Sequence, residues 1–301
     1  MSDEIKKSFD LTRQAGILAA KTLDSLNKII QPGITTDQID KFCFNYINDH
    51  KGYSAPLFYR GYPKSCCTSV NHVVCHGIPS NKILNEGDIL NVDVTVFKDG
   101  WHGDTSRMFM IGDCSIKAQR LVKTTYEAMM KGINILKDGI FLGDIGFEIQ
   151  THVENNGFSV VRDFCGHGIG KSFHLSPNIL HYGEKGKGEK ISTGMIFTIE
   201  PMINAGKFPT KTLSDGWTAV TKDKTLSAQF EHTVGIKEDF RKEYLGHLKD
   251  SWIEGLSVNA VLEWNVGDAL CFDSLALHCS SNFKSKSIER KIGLSIFTVK
   301  E

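Results

Sequence analysis

Val92, Val94 and Val96 alternate with Asn91, Asp93 and Thr95, so a strand over residues 91 to 97 carries one apolar face and one polar face. A second run, Trp101 to Phe109, follows across Asp99-Gly100, a strong two-residue hairpin signal. With that turn Lys98 pairs with Trp101, Thr95 lies opposite Asp104, and Asp93 lies diagonal to it. A turn at Lys98-Asp99 sets Asp93 directly opposite Asp104 instead. Either register puts both carboxylates on one face, within about 8 Å of each other. Elsewhere Ile5, Phe9, Ile17 and Leu18 recur at roughly helical spacing and predict a helix over residues 3 to 30, stopped by Pro32 and Gly33. Thr36 predicts the cap of a second helix over 37 to 50, and further helices are predicted over 116 to 137 and 144 to 156. The segments between and after them are strand-rich, so helices and strands alternate in two similar blocks.

The similarity can be written as an alignment. "LNEGDILNVD", ending at Asp93, matches "ISTGMIFTIE", ending at Glu200, with Gly87 on Gly194 and Ile89 on Ile196. Each strand is followed by a second that bears an acid, Asp104 in the first block and Glu231 of "SAQFEHTVG" in the second. The pattern predicts two related halves, each contributing a pair of carboxylates.

Composition narrows the class. The chain has 301 residues, 41% hydrophobic and 23% charged, enough for one large globular domain or two ordinary ones. Its formal net charge of zero gives no bulk attraction to nucleic acid or to an anionic membrane. The start, "MSDEIKKSFDLTRQAGILAAKTLDSL", mixes charges throughout and reads as neither a signal peptide nor a membrane span. Eight cysteines without a C-x-x-C pair fit reduced thiols, and the expected compartment is the cytoplasm.

Asp93, Asp104, Glu200 and Glu231 all stand in apolar strand contexts, and His167 lies inside the glycine-rich "CGHGIGKSFH". Two close carboxylates in a half-buried place are unfavourable alone and favourable around a hard cation. Four carboxylates and one imidazole are too many charges to bury without metal. They suffice for two divalent ions that share bridging oxygens and activate a water for hydrolysis. "GHGIGK" matches neither phosphate-loop pattern in full, which argues against nucleotide binding.

With these residues in place, "NVDVTVFKDGWHGDTSRMF", "CGHGIGKSFH", "TIEPM", "SAQFEHT", "RGYPKS" and "NHVVCHGIP" resemble the motifs of type I methionine aminopeptidases over about residues 3 to 236. The resemblance implies the α+β pita-bread fold of two pseudo-symmetric halves. It also implies metal-dependent removal of the initiator methionine from nascent polypeptides whose second residue is small. It implies Asp93, Asp104, His167, Glu200 and Glu231 as ligands of two divalent ions, Co, Mn, Fe or Zn, with Asp104 and Glu231 bridging. His76 and His174 would contact the scissile amide and stabilise the oxyanion, and Glu200 would carry a proton from the attacking water to the leaving amine. Tyr59, Tyr62, Cys67, Phe173 and Trp217 would form the methionine pocket, since aromatic and sulfur groups suit a thioether. Asn71, Val73 and Ser227 would hold a monovalent cation. Pro56 stands where members often carry cysteine. Docking near the ribosomal exit follows from the family's task, although no motif specifies that contact. Related X-Pro peptidases share the five ligands, so the metal set cannot separate the two activities, whereas "CHGIP" and "RGYPKS" favour the methionine enzymes.

Residues 238 to 301 depart from this pattern, and the expected organisation is a catalytic domain over 1–237 followed by a β-rich C-terminal extension. "GDALCFDSLALHCSSN" and "ERKIGLSI" resemble the end of an iron- and 2-oxoglutarate-dependent dioxygenase, with His278 as distal iron ligand and Arg290 as oxoglutarate-binding residue. Such a site also needs an upstream H-x-D or H-x-E. The chain's H-x-D is His102-Gly103-Asp104, already used by the hairpin. The tail is expected to be less ordered than the rest and to carry no dioxygenase activity. Two further readings stay open: a catalytically inactive chimera, and a pita-bread protein that binds partners without catalysis.

Overall fold

Four amphipathic helices and a long hairpin set the architecture. The helices are α1 (Asp3–Leu26), α2 (Thr36–Asp49), α3 (Ile116–Asn134) and α4 (Leu142–Asn155). The strands, in chain order, are β1 (Tyr53–Ser54), β2 (Cys67–Val70), β3 (Val73–Cys75), β4 (Ile89–Lys98), β5 (Trp101–Met110), β6 (Ser159–Val160), β7 (Gly166–Gly168), β8 (Leu175–Ile179), β9 (Ile196–Ile199), β10 (Met202–Asn204), β11 (Thr210–Thr212), β12 (Ala219–Thr221), β13 (Ser227–Gln229) and β14 (Glu231–Gly235). The structure is a computed structural model. It describes residues 2–237 and, beyond them, only the backbone of four short strands.

The first helix ends at Leu26, earlier than the apolar pattern predicts. Ile29 and Ile30 extend the pattern, but they lie in a turn and pack beside the core from there. The second helix starts one residue earlier than predicted. Thr35 is its cap, in a capping box with Gln38 whose bonds measure 3.2 and 2.8 Å. The last two helices match the predicted segments, α3 starting at the predicted Ile116 and the other three ends shifted by one to three residues.

A central antiparallel sheet runs in the order β1, β4, β5, β14, β9, β7, β8, with β2 also paired to β4. The hairpin takes the first of the two predicted registers. Lys98 pairs with Trp101 and Thr95 with Asp104 across Asp99-Gly100, both in left-handed conformation as this turn requires. Val92, Val94 and Val96 are fully buried against α1 and α2. A second core gathers α3, α4 and the β9 half of the sheet. Each helix pair therefore covers one half of the same sheet face, and the polar alternation of β4 points to the other face. That face is buried too: Asn91 and Thr95 are each only 2% exposed.

The halves are related about the β5/β14 pair. Gly87 and Gly194 both adopt positive φ, 87° and 96°, which glycine accepts without strain. Gly87 N–H donates to Ile111 O, and Gly194 N–H to Ile236 O, in matching positions. The acids of the second strands depart from this symmetry. Met110 pairs with Ile89 and Gly235 with Ile196, so counting back makes Ser106 the counterpart of Glu231, and Gln229 the counterpart of Asp104. The two-residue offset keeps both carboxylates on the cavity face, because strand side chains alternate with a period of two.

The chain divides into two units, Met1–Glu238 and Asp239–Glu301. In the second, Glu263–Trp264 pairs with Lys291–Ile292 and Leu277–Cys279 with Leu294–Ile296, both antiparallel. His278 falls within one of these strands. Arg290, and the expectation of a less ordered tail, lie outside the described residues.

Candidate active site

Five strands deliver one acidic or imidazole group each to the sheet face opposite the helices. Asp93 comes from the middle of β4, Asp104 from β5 and His167 from β7; Glu200 immediately follows β9, and Glu231 opens β14. Asp104, His167, Glu200 and Glu231 are all less than 9% exposed. Donor atoms of Asp104, His167 and Glu231 lie within 4.8 Å of one another. His167 Nε2 stands 3.8 Å from Asp104 Oδ2 and 3.7 Å from Glu200 Oε1.

The backbone explains why these groups can converge. A side chain at Gly166 would collide with the carbonyl of Thr198, and one at Gly168 with that of Ser176. Only glycine on both sides of His167 lets β7 run this close to its neighbours. Hydroxyl groups then orient the donors. Thr95 Oγ1 donates to Asp104 Oδ1 at 2.7 Å, and Thr198 Oγ1 donates to Glu200 Oε1 at 2.7 Å while accepting from His167 N–H at 3.0 Å. Glu200 N–H donates to Nε2 of the buried His181 at 3.0 Å, which places that ring's proton on Nδ1.

Burial raises the pKa of Asp93, Asp104, Glu200 and Glu231, and the charges of neighbouring acids raise Asp93 and Glu231 further. Glu200 reaches about 8. The protein part of the site alone disfavours its own ionised form. Asp93 Oδ1, Asn91 Oδ1 and Gln229 Oε1 are moreover buried without a hydrogen-bond partner among the described residues. Clustered hard oxygen donors, an imidazole and an orphaned carboxylate oxygen suit divalent metal.

The five residues form the floor of a cavity of about 550 Å³. Tyr59, Tyr62, Cys67, His76, Phe173, His174 and Trp217 line the same cavity. Tyr62 packs edge-on against Trp217 at 5.2 Å and donates to the carbonyls of Cys66 and Gly77. Burial pushes the Tyr62 phenol and the Cys67 thiol up, so both are neutral. His76 lies edge-on to Phe164 and Trp217, and burial lowers its pKa. The His174 ring lies 4.0 Å from that of His167, tilted by 36°, and burial together with the His167 charge lowers the His174 pKa to about 3. Both histidines are therefore neutral near pH 7.

The third predicted group lies elsewhere. Ser227 N–H donates to Asn71 O at 2.8 Å, Val73 sits in β3, and none of the three lines the cavity. The sequence reading missed Thr198, Gln229 and His181 as partners of Glu200. Thr198 precedes Glu200 by one strand period and was open to discovery from alternation. His181 has no such signal.

Among known proteins, the model of metallopeptidase family M24 matches residues 10–238. The methionine aminopeptidase of Rickettsia prowazekii (strain Madrid E) is 54% identical over 235 residues, covering 78% of this chain and 91% of that protein. The crystal structure of methionine aminopeptidase from Rickettsia prowazekii superposes with a TM-score of 0.76 at 55% identity, over 77% of this chain and 94% of that one. Prolidase from Pyrococcus furiosus, at 19% identity and a TM-score of 0.62 over 77% of this chain and 62% of its own, shares the fold alone. The fold is the pita-bread α+β fold. By sequence, by fold and by the match over residues 10–238, the chain belongs to metallopeptidase family M24 and, within it, to the methionine aminopeptidases.

Proposed function

We propose that the cavity binds the N-terminal methionine of a nascent polypeptide and that the five-residue floor serves its hydrolytic release. The observation that carries this reading is the meeting of all five expected ligands with the aromatic and sulfur lining in one cavity. Asp93, Asp104, His167, Glu200 and Glu231 would hold two divalent ions. Divalent metal there supplies Lewis acidity, lowering the pKa of a water and neutralising charge on the scissile carbonyl. The chain's own groups do the rest. Tyr59, Tyr62, Cys67, Phe173 and Trp217 surround the thioether side chain, and their neutral, polarizable surfaces suit sulfur. His76 and His174, neutral imidazoles, each offer an N–H to the carbonyl oxygen as it becomes an oxyanion. Glu200 takes a proton from the attacking water and passes it to the leaving nitrogen as the C–N bond breaks. Methionine and the shortened peptide are the products.

Residues 1–237 are read as the catalytic domain and 238–301 as a separate extension, in keeping with the family match ending at residue 238. Asp104, the acid of the chain's H-x-D, faces the peptidase cavity, so that pair is not available to the dioxygenase-like tail. The metal is left among Mn, Fe, Co and Zn, because carboxylate-rich sites accept each and supply decides. Asn71, Val73 and Ser227 stay the candidates for a monovalent cation.

The test is methionine release from Met-Ala-Ser by the full, metal-reconstituted chain, with an X-Pro dipeptide alongside and Asp104→Asn as control. We expect release from Met-Ala-Ser, little from the X-Pro dipeptide, and a loss of at least about 100-fold in Asp104→Asn. A folded protein that is inactive with every metal would favour the inactive chimera. Preferential cleavage of the X-Pro dipeptide would move the activity to the other branch of the fold.

A further inference from the structure

One charged group on the cavity wall has no part in the chemistry above. Arg60 is the single Lys or Arg among the described residues lining the cavity, where the remaining charged side chains are acids. It is solvent-exposed, and among the described residues it forms no ion pair. Asp163, the one acid of the lining outside the five ligands, is already engaged by the backbone N–H and hydroxyl of Thr210, at 3.2 and 2.6 Å.

The loop that presents Arg60 is built against the ordinary preferences of its residues. Phe58 and Arg60 adopt left-handed conformations, with φ of 66° and 48°, which non-glycine side chains rarely take. Bonds from Phe58 N–H to Tyr62 O (2.8 Å) and from Tyr62 N–H to Tyr59 O (2.9 Å) close the turn, and Tyr62 anchors it through its hydroxyl. These bonds fix the backbone beneath the Arg60 guanidinium. It lies 5.3 Å from the centre of the Tyr59 ring, Tyr59 stacks 5.1 Å from His174, and His174 lies 4.0 Å from His167. A chain of ring contacts leads from the ligand histidine outward to the arginine.

Resting on the methionine-release reading, we propose that Arg60 is a specificity-determining residue that favours peptides with a carboxylate just beyond the scissile bond. With methionine in the pocket, the third residue's Cα lies about 7 Å farther along an extended chain. The second residue must be small and carries no such charge, so position three is the first that can carry an acidic side chain to the guanidinium. A planar guanidinium with free N–H groups, set beside an aromatic ring, suits a carboxylate and opposes an ammonium.

The test compares kcat/KM for amidated Met-Ala-Asp-Leu and Met-Ala-Lys-Leu, at low salt and at 0.5 M salt, in the native chain and in Arg60→Gln and Arg60→Glu. The readout is the Asp-to-Lys ratio and not the absolute rate. In the native chain the Asp peptide should be favoured about two- to fivefold at low salt, the range of an exposed charge pair, carried in KM and flattened by high salt. Arg60→Gln should bring the ratio toward one, and Arg60→Glu should invert it. A native ratio near one at low salt overturns the inference without any variant, as does a preference that survives unchanged in Arg60→Glu. Cleavage without charge preference would sink this inference alone. Cleavage of neither peptide, nor of Met-Ala-Ser, would sink the methionine-release reading and this inference with it.

Discussion

Thr198 holds two members of the site at once, donating to Glu200 Oε1 and accepting from the backbone N–H of His167. Thr198→Val keeps the shape and removes both bonds, leaving a buried N–H without a partner at a cost of about 1–3 kcal/mol. Partners of this kind that orient metal ligands typically contribute 10- to 100-fold in affinity or activity, so metal titration of Thr198→Val should show a loss of about that size. Thr198→Ser should restore most of it, and equal binding by all three forms would remove Thr198 from the site. At this scale the sequence was informative wherever a residue's own surroundings betrayed it: an acid among valines, or a histidine between glycines. Gln229 and His181 were invisible for a physical reason. Their importance lies in a partner 29 and 19 residues away, and only the folded chain makes that pairing.

At the scale of elements, β7 and β9 approach so closely that a Cβ on Gly166 would strike the Thr198 carbonyl. Gly166→Ala is expected to push the strands apart and to destabilise the protein by about 1–3 kcal/mol in denaturant unfolding, with weaker metal binding because His167 and Thr198 straddle the contact. Unchanged unfolding and binding would contradict the close approach. Removing the cap of the second helix, Thr35→Ala, should cost about 1 kcal/mol in the same measurement and leave the metal affinity alone, since the capping box lies outside the cavity. The hairpin register was open in the sequence between two turns, and Asp99 and Gly100 decided it by both tolerating left-handed backbone. Helix ends were less legible. Ile29 and Ile30 continue an apolar pattern that packing uses after the helix has stopped.

At the scale of the whole molecule, four buried carboxylates link metal, pH and stability. Without metal, Glu200 titrates near 8 in the folded state against an ordinary 4.5. Between those values the unfolded chain has lost a proton that the folded chain keeps, so the stability of the metal-free protein falls as pH rises through this window. Bound metal holds the same carboxylates ionised and removes that loss. The difference in thermal midpoint between metal-loaded and chelated protein should therefore widen from pH 5.5 to pH 8, and a difference independent of pH would count against the clustered acids as the metal site. The two-half organisation itself could be read in advance, since Gly87 and Gly194 mark the same turn before the same kind of strand, and local backbone chemistry repeats with local sequence. The symmetry of the acids could not. Asp104 and Glu231 occupy positions two residues out of step, and only the register of β14 against β5 and β9 shows that they still share a face. The sequence by itself determined the main elements though not their ends, four acids misplaced in apolar strands, a histidine between glycines, and the family, because alternation, turn chemistry and motif spacing are local. Tertiary structure alone decided that those groups meet in one cavity with its aromatic wall, and that Arg60 stands on that wall, because convergence depends on long-range strand pairing and close backbone approach.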